Sequence, residues 1–327
     1  MLSPDYAQFT LENGKIDPGP RMIKKLDAIP LPDLRGKTVL DVGCDYGQFS
    51  FWCAVNGAEV LGIDRNRDVR GVGKVDLIAL NNENSQKNSL NARFAHINLG
   101  KSWKEFGKFD HILVWSVYHH IYENCGDHKP IWFWLWRHCK ESIIWEGPLD
   151  NTDRVVQMNV SKPYTRNDIL EAAHIYFNSG YIGPAKHEPN RHVFIFWPKK
   201  IQSSYEITPI DGTGGATKAF QFHEERRIKE IESIIGYRPY PGSLNCISST
   251  DFDFSSHYYN GDILDVRDRG SGLDQEWVSR ETRFYPCTIS GQTAHVFKMK
   301  GEKYQPNFLE FISPVRLRDH EVKECVF

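Results

Sequence analysis

The sequence predicts an α/β domain with a mostly parallel sheet, followed by a small β-barrel domain. Three observations carry this expectation. From Lys37 to about Lys200, short β-branched runs alternate with longer mixed segments, the texture of βαβ units. The polar stretch Pro198–Tyr205 (PKKIQSSY) reads as a linker. Beyond it, Gly and Pro cluster at Asp211–Ala216 and Arg238–Gly242, among short strand-like runs and one helix. At 327 residues the chain exceeds one average domain, so the expected division is 1–200 and 207–327.

The elements follow in order. Thr38–Val42 is a buried strand ending in turn residues, Glu59–Ile63 a second, and Phe94–Ile97 a weaker third. Asp110–Ser116, Ser142–Glu146 and His192–Trp197 complete the set. Gln48–Asn56 and Asp168–Phe177 have helical length and pattern. Parallel neighbours need crossover connections, which run right-handed. The run Ile131–Trp136 reads as a helix packed on the sheet, because such aromatic density belongs in a core. In the second domain, His223–Ile235 is a helix with Ile228, Ile231 and Ile234/Ile235 on one face. Thr288–Ile289, Ala294–Met299 and Phe308–Ile312 are its strands.

Composition narrows the function classes. A net charge of -2 argues against a general electrostatic grip on nucleic acid. The seven cysteines form no C-x-x-C pair, so they signal neither a zinc knuckle nor a disulfide framework. They read as reduced, buried thiols of a cytoplasmic protein. Met1–Phe9 lacks the basic head and apolar core of a signal peptide, and the longest apolar run, Ile131–Trp136, is far short of a membrane span.

The densest chemical signal is Asp41-Val42-Gly43-Cys44-Asp45-Tyr46-Gly47 between a strand and a helix. A glycine-bearing loop there lets the backbone approach a ligand and aims helix N–H groups at it. Asp64 ends the second strand, where a carboxylate can accept bonds from two ribose hydroxyls. Gly43-x-x-x-Gly47 does not supply the G-x-G-x-x-G of dinucleotide dehydrogenases. The set resembles motifs one and two of class I S-adenosylmethionine-dependent methyltransferases. Asp45 stands where many members have glycine, and Asp tolerates unusual backbone angles. The resemblance implies a Rossmann-like domain in which Asp41, Gly43, Asp45, Gly47 and Asp64 bind the cofactor. Asn98 sits where the family often places an acid that contacts adenine. Ser116 is placed among the cofactor-binding residues too, at the end of the strand that passes beneath the methionine part of the cofactor and faces the acceptor.

Ser116-Val117-Tyr118-His119-His120-Ile121 and Asn190-Arg191-His192-Val193-Phe194 resemble the methyltransferase domain of bifunctional kinase–methyltransferases that terminate bacterial O-antigen chains. Transfer-RNA wobble-uridine enzymes have a similar first motif. His120 is the candidate base or orienter beside the methyl acceptor, with packing or capping histidines as the alternative. Adjacent helical histidines diverge by about 100°, which disfavours a metal pair.

Three blocks mark the second domain: Gly212-Thr213-Gly214-Gly215, Gly236–Asn245, and Phe284–Cys287 through Asn307–Arg318. Together they resemble archaeal CTP-dependent riboflavin kinases. The resemblance implies that Gly212, Gly214 and Gly215 hold phosphate oxygens and that Ser243 and Asn245 hold Mg²⁺ with CTP. Glu310 is the candidate carboxylate that orients the attacking hydroxyl, or else a structural acid beside Arg316 or Arg318. Phe252–Trp277 departs from the compact enzymes, which suits a site rebuilt for an acceptor other than riboflavin.

The expectation is thus a bifunctional enzyme, transferring methyl from S-adenosylmethionine and phosphoryl from CTP to a sugar or other small polar acceptor. Two alternatives stay open: a barrel that only binds a nucleotide or glycan, and an RNA-modifying methyltransferase.

Overall fold

The computed structural model describes residues 9–27, 29, 31–65, 76–149, 160–186, 188–200, 204–210, 225–240, 243–251, 258–268, 275–299, 305 and 307–326. The chain forms two compact units: residues 1–100, 106–128 and 135–199, and residues 101–105, 129–134 and 200–327.

The first unit opens with a hairpin of β1 (Phe9–Glu12) and β2 (Lys15–Pro18), turned at Asn13-Gly14. Both turn residues have positive φ, the primed-turn geometry that an Asn-Gly pair favours. Helix α1 (Pro20–Leu26) follows, with proline at its start. The sequence reading drew no element here.

The main sheet comprises β3 (Thr38–Val42), β4 (Glu59–Asp64), β5 (Ala92–His96), β6 (Phe109–Trp115), β7 (Cys139–Pro148), β8 (Phe177–Ala185) and β9 (Glu188–Pro198). Its order is β5-β4-β3-β6-β7-β9-β8. The first five in that order are parallel; β9 and β8 are antiparallel additions. The chain moves outward from β3 to β5 and then restarts at β6, so the switch point lies between β3 and β6. Ligands bind at the carboxyl ends of strands beside such a point.

Helices α2 (Gln48–Val55), α3 (Leu77–Lys87), α4 (Tyr118–Cys125), α5 (His128–His138) and α6 (Arg166–Tyr176) join the strands. Asp76 caps α3 by accepting the Ala79 N–H, and Thr165 and Asp168 form a capping box on α6. The aromatic run is helical, within α5, and Ile131 through Leu135 are buried, but residues 129–134 group with the second unit rather than with the first unit's sheet. The predicted strands are all present; β5 starts two residues earlier than the sequence suggests, and β7 extends further at both ends. Strand β8 was not anticipated, because Gly180, Gly183 and Pro184 interrupt its pattern.

The second unit contains β10 (Ser204–Pro209), α7 (Glu225–Ile235), β11 (Leu244–Ser248), β12 (Tyr259–Asp268), β13 (Gln275–Ile289), β14 (Gln292–Met299), β15 (Phe308–Ile312) and β16 (Glu324–Val326). Its antiparallel order is β12-β13-β14-β15-β11-β10-β16, and β13 also pairs with β16. That extra pairing closes six strands into a barrel, which removes its open edges. Leu244, Cys246, Tyr285, Cys287, Val296, Leu309, Phe311 and Cys325 pack together as its core. The four isoleucines expected on one face of α7 are all buried. Within this unit Trp103 is fully buried, stacks on Tyr259 at 5.3 Å and donates its indole N–H to the Asn260 carbonyl.

All seven cysteines are free, and all but the half-buried Cys125 are buried. Among the described residues no helix is long and apolar enough to cross a membrane.

Candidate functional site

The first site is built at the carboxyl ends of β3, β4 and β6. Gly43 leaves β3 at φ 76°, and a Cβ there would lie 2.4 Å from Val117 Cγ2. Only glycine fits both the backbone angle and the space. The Gly43 and Cys44 N–H groups bind the Ile63 carbonyl at 2.8 and 3.1 Å, tying the loop to β4. Asp45, at φ 49°, donates its backbone N–H to Asp64 Oδ2 at 2.8 Å. Asn81 Nδ2 donates to the Asp45 carbonyl at 2.9 Å. Gly47, at φ 75°, is the N-cap of α2.

Asp41 is buried and accepts a 2.6 Å hydrogen bond from Ser50 Oγ. Burial, reinforced by the Asp64 charge and opposed by the Ser50 bond, raises its pKa to about 6. A cationic ligand beside it favours the ionised form.

Asp41, Gly43, Asp45, Asp64, Asn98, Ser116 and His120 all line one cavity. Asn98 Oδ1 accepts from Asn124 Nδ2 at 2.8 Å, and both side chains border the same cavity. Gly47, the N-cap of α2, is not among the residues that line it. His120 reaches the cavity, whereas His119 is buried beneath it, with ring centroids 4.1 Å apart. Neither nitrogen of His119 has a hydrogen-bond partner among the described residues. Burial first, then the neighbouring His120 and Arg191 charges, lowers its pKa to about 3. No group of three or more His, Cys, Asp or Glu side chains that could hold a metal ion occurs among the described residues.

A polar network in this unit escaped the sequence reading. Ser116 Oγ donates to Glu146 Oε2 at 2.7 Å and accepts from Lys25 Nζ at 3.2 Å and from Arg191. Lys25 also bonds Glu146 Oε2 at 3.1 Å, and Glu188 pairs with Arg191. Lys25, Glu146 and Arg191 are all buried. Ser116 and Arg191 lie in the two blocks that carry the family resemblance, and Glu146 is an acid ending the apolar run Ser142–Trp145. Lys25, on a short helix without motif, had no such signal.

The second site lies on β11 and β15. Asn245 pairs directly with Glu310 across these strands. Ser243, two residues before Asn245 and thus on the same face, donates to Glu310 Oε1 at 2.6 Å. Asn245 and Glu310 are 7% and 2% exposed. Asn245 Oδ1 has no hydrogen-bond partner among the described residues. A buried amide oxygen left so, beside a hydroxyl and a carboxylate, is an oxygen donor set that suits a hard cation such as Mg²⁺. The Tyr237 hydroxyl meets the fully buried His295 at 2.9 Å one row along, since His295 pairs with Ile312. Burial raises the pKa of Tyr237. Arg316, offered as a possible partner of Glu310, pairs with Asp319 at 3.8 Å. Gly212, Gly214 and Gly215 lie outside the described residues.

Residues 17–124 match the family model Methyltransf_23, a methyltransferase domain. Residues 210–323 match the model CTP-dep_RFKase, described as "Domain of unknown function DUF120". Similar solved structures include a TehB-like SAM-dependent methyltransferase from Corynebacterium glutamicum, 19% identical over 54% of this chain and 86% of that one, with TM-score 0.40. Another is magnesium protoporphyrin IX methyltransferase from Synechocystis PCC 6803, 16% identical over 51% and 72%, with TM-score 0.35. A third is geranyl diphosphate C-methyltransferase from Streptomyces coelicolor, 11% identical over 54% and 77%, with TM-score 0.38. No curated protein matches the chain. The chain therefore carries a methyltransferase domain and a domain of the CTP-dependent riboflavin kinase type.

Proposed function

We propose that the chain is a bifunctional enzyme. Its second domain moves the γ-phosphate of CTP to a hydroxyl of a sugar or other small polar acceptor, and its first domain methylates that product. The observation that carries the kinase half is the buried oxygen cluster of Ser243, Asn245 and Glu310. Ser243 and Asn245 would hold Mg²⁺, which neutralises charge on the transferred phosphoryl group. Glu310 orients the attacking hydroxyl and takes up its proton as the new P–O bond forms. Gly212, Gly214 and Gly215 are assigned to the phosphates.

In the first domain, Asp64 takes the ribose hydroxyls, the Gly43–Gly47 loop supplies close backbone approach, and Asn98 borders the base. Bound S-adenosylmethionine supplies an electrophilic methyl group on sulfonium. The protein's part is alignment and exclusion of water, with His120 orienting the acceptor. The free thiols suit the reducing cytoplasm, where we place the enzyme.

The test is transfer of label from γ-labelled CTP, with Mg²⁺, across a panel of sugars and flavins. Labelled product that disappears in Asn245→Ala supports the reading. Absence of label from CTP, ATP and GTP alike removes the kinase half and leaves a barrel that only binds.

A further inference from the structure

We propose that Lys25 is the acceptor-binding cation of the methyl-transfer pocket, and that the acceptor presents an anionic oxygen; this rests on the methyltransferase reading above. Lys25 comes from α1, well before the glycine loop. Lys25 lines the same cavity as His120, and the residue as a whole is 8% exposed. It lies 5.5 Å from the Phe49 ring centroid and 5.7 Å from that of Trp115, two further members of the cavity wall.

Its position favours the acceptor over the cofactor. The groups suited to the cofactor stand at the ends of β3 and β4 and just after β5: Asp41, the glycine loop, Asp64 and Asn98. Lys25 is bonded instead at the ends of β6 and β7, on the other side of the switch point, to Ser116 and Glu146. Ser116 is held there at φ 58°, an uncommon angle for a residue other than glycine, and its N–H binds the Glu146 carbonyl at 2.9 Å. Its hydroxyl gives one hydrogen bond and takes two, its full capacity. Glu146 and Arg191 thus fix Ser116, and Ser116 with Glu146 fixes the ammonium against the aromatic wall.

A cation held here selects among acceptors. An amine gains positive charge as it takes a methyl group, which Lys25 opposes on the acceptor side. The acids of the same cavity, Asp41, Asp45 and Asp64, stand with the cofactor. An anionic oxygen is attracted beforehand. Its lone pair forms the C–O bond while the C–S bond breaks and that pair returns to sulfur, so the oxygen loses one negative charge and no proton has to be placed. A phosphate, a carboxylate and an ionised hydroxyl share this chemistry.

The test uses the full-length protein saturated with S-adenosylhomocysteine. Glucose 1-phosphate, glucuronate and glucosamine are titrated in turn, with calorimetry and melting temperature as readouts. An anionic sugar is expected to bind and stabilise the wild type, with glucosamine inert; the phosphate and carboxylate arms identify the source of the anionic oxygen. Lys25→Met should weaken anion binding about tenfold or more, Lys25→Arg less, with S-adenosylhomocysteine affinity changed by under about threefold. If Lys25→Met does not fold, because buried Glu146 loses its ammonium and keeps Ser116 and the more distant Arg191, Lys25→Met with Glu146→Gln keeps the site neutral. Tenfold weaker S-adenosylhomocysteine binding in these variants overturns the proposal, since Lys25 would then serve the cofactor. Glucosamine binding as tightly as the anions, or no anion binding at all, overturns it too. Failure of S-adenosylhomocysteine to bind the wild type instead defeats the methyltransferase reading itself.

Discussion

Asn245 stands directly opposite Glu310 on neighbouring barrel strands, and the Ser243 hydroxyl closes on the same carboxylate at 2.6 Å. Three polar side chains thus share one face of a two-strand ladder whose other face builds the barrel core. Removing the Asn245 amide should leave the barrel folded, because that amide oxygen has no partner among the described residues to lose. Asn245→Ala is expected to cut phosphoryl transfer about 100-fold or more, as befits loss of a direct cation ligand. Circular dichroism and S-adenosylhomocysteine affinity should stay unchanged. A variant that keeps its activity removes Asn245 from the cation site.

The glycine loop and Asp64 form one device. Asp64 binds the Asp45 N–H, so its loss unties the loop as well as removing the carboxylate proposed to take the ribose. Asp64→Ala should weaken S-adenosylhomocysteine binding about 10–100-fold, the range expected for charged hydrogen bonds. Gly43→Ala places a Cβ 2.4 Å from Val117 at positive φ. It should lower stability by about 1–3 kcal/mol and weaken cofactor binding together, as calorimetry and chemical denaturation can check.

Two buried histidines set an acid limit on the first unit. Burial lowers the pKa of His119 to about 3 and that of His128 to about 4. In the unfolded chain both take up a proton near the ordinary value of 6.5. Between 6.5 and about 4 the unfolded state therefore binds more protons, and stability falls as pH falls across that window. The slope reaches up to about 1.4 kcal/mol per pH unit for each histidine. His119→Gln should flatten the decline of melting temperature between neutral pH and pH about 4. Parallel curves for variant and wild type would exclude His119 as a source of acid sensitivity.

Trp103 makes a prediction about autonomy. The second unit includes 101–105 and 129–134, and Trp103 is buried there against Tyr259. A fragment starting at Lys200 lacks that side chain and exposes the Tyr259 face. It should aggregate or melt well below the full chain. Trp103→Ala in the full chain should cost about 3–5 kcal/mol, measurable by denaturant titration.

The sequence made legible what rests on local pattern. Runs such as Thr38–Val42 and Asp110–Ser116 are buried on both faces and announce parallel strands. Asp41, Gly43, Asp45 and Asp64 stand at or just past strand ends, and the structure gathers them around one cavity. Ser243, Asn245 and Glu310 came from resemblance alone; their pairing depends on the register of β11 with β15, which no local pattern encodes. Lys25 and Glu146, and the pairing of Arg191 with them, stayed hidden for the same reason, since 121 residues separate Lys25 from Glu146. The Asn13-Gly14 pair is a local hairpin signal, whereas glycine and proline break the pattern of β8.

The most direct test of the bifunctional reading is a two-label reaction. The full-length protein is incubated with γ-labelled CTP, methyl-labelled S-adenosylmethionine and Mg²⁺ over the acceptor panel, and products are separated. The account predicts one product bearing both labels, with the methyl label absent when CTP is withheld. Methyl transfer that proceeds equally without CTP, onto a product lacking the phosphoryl label, contradicts it.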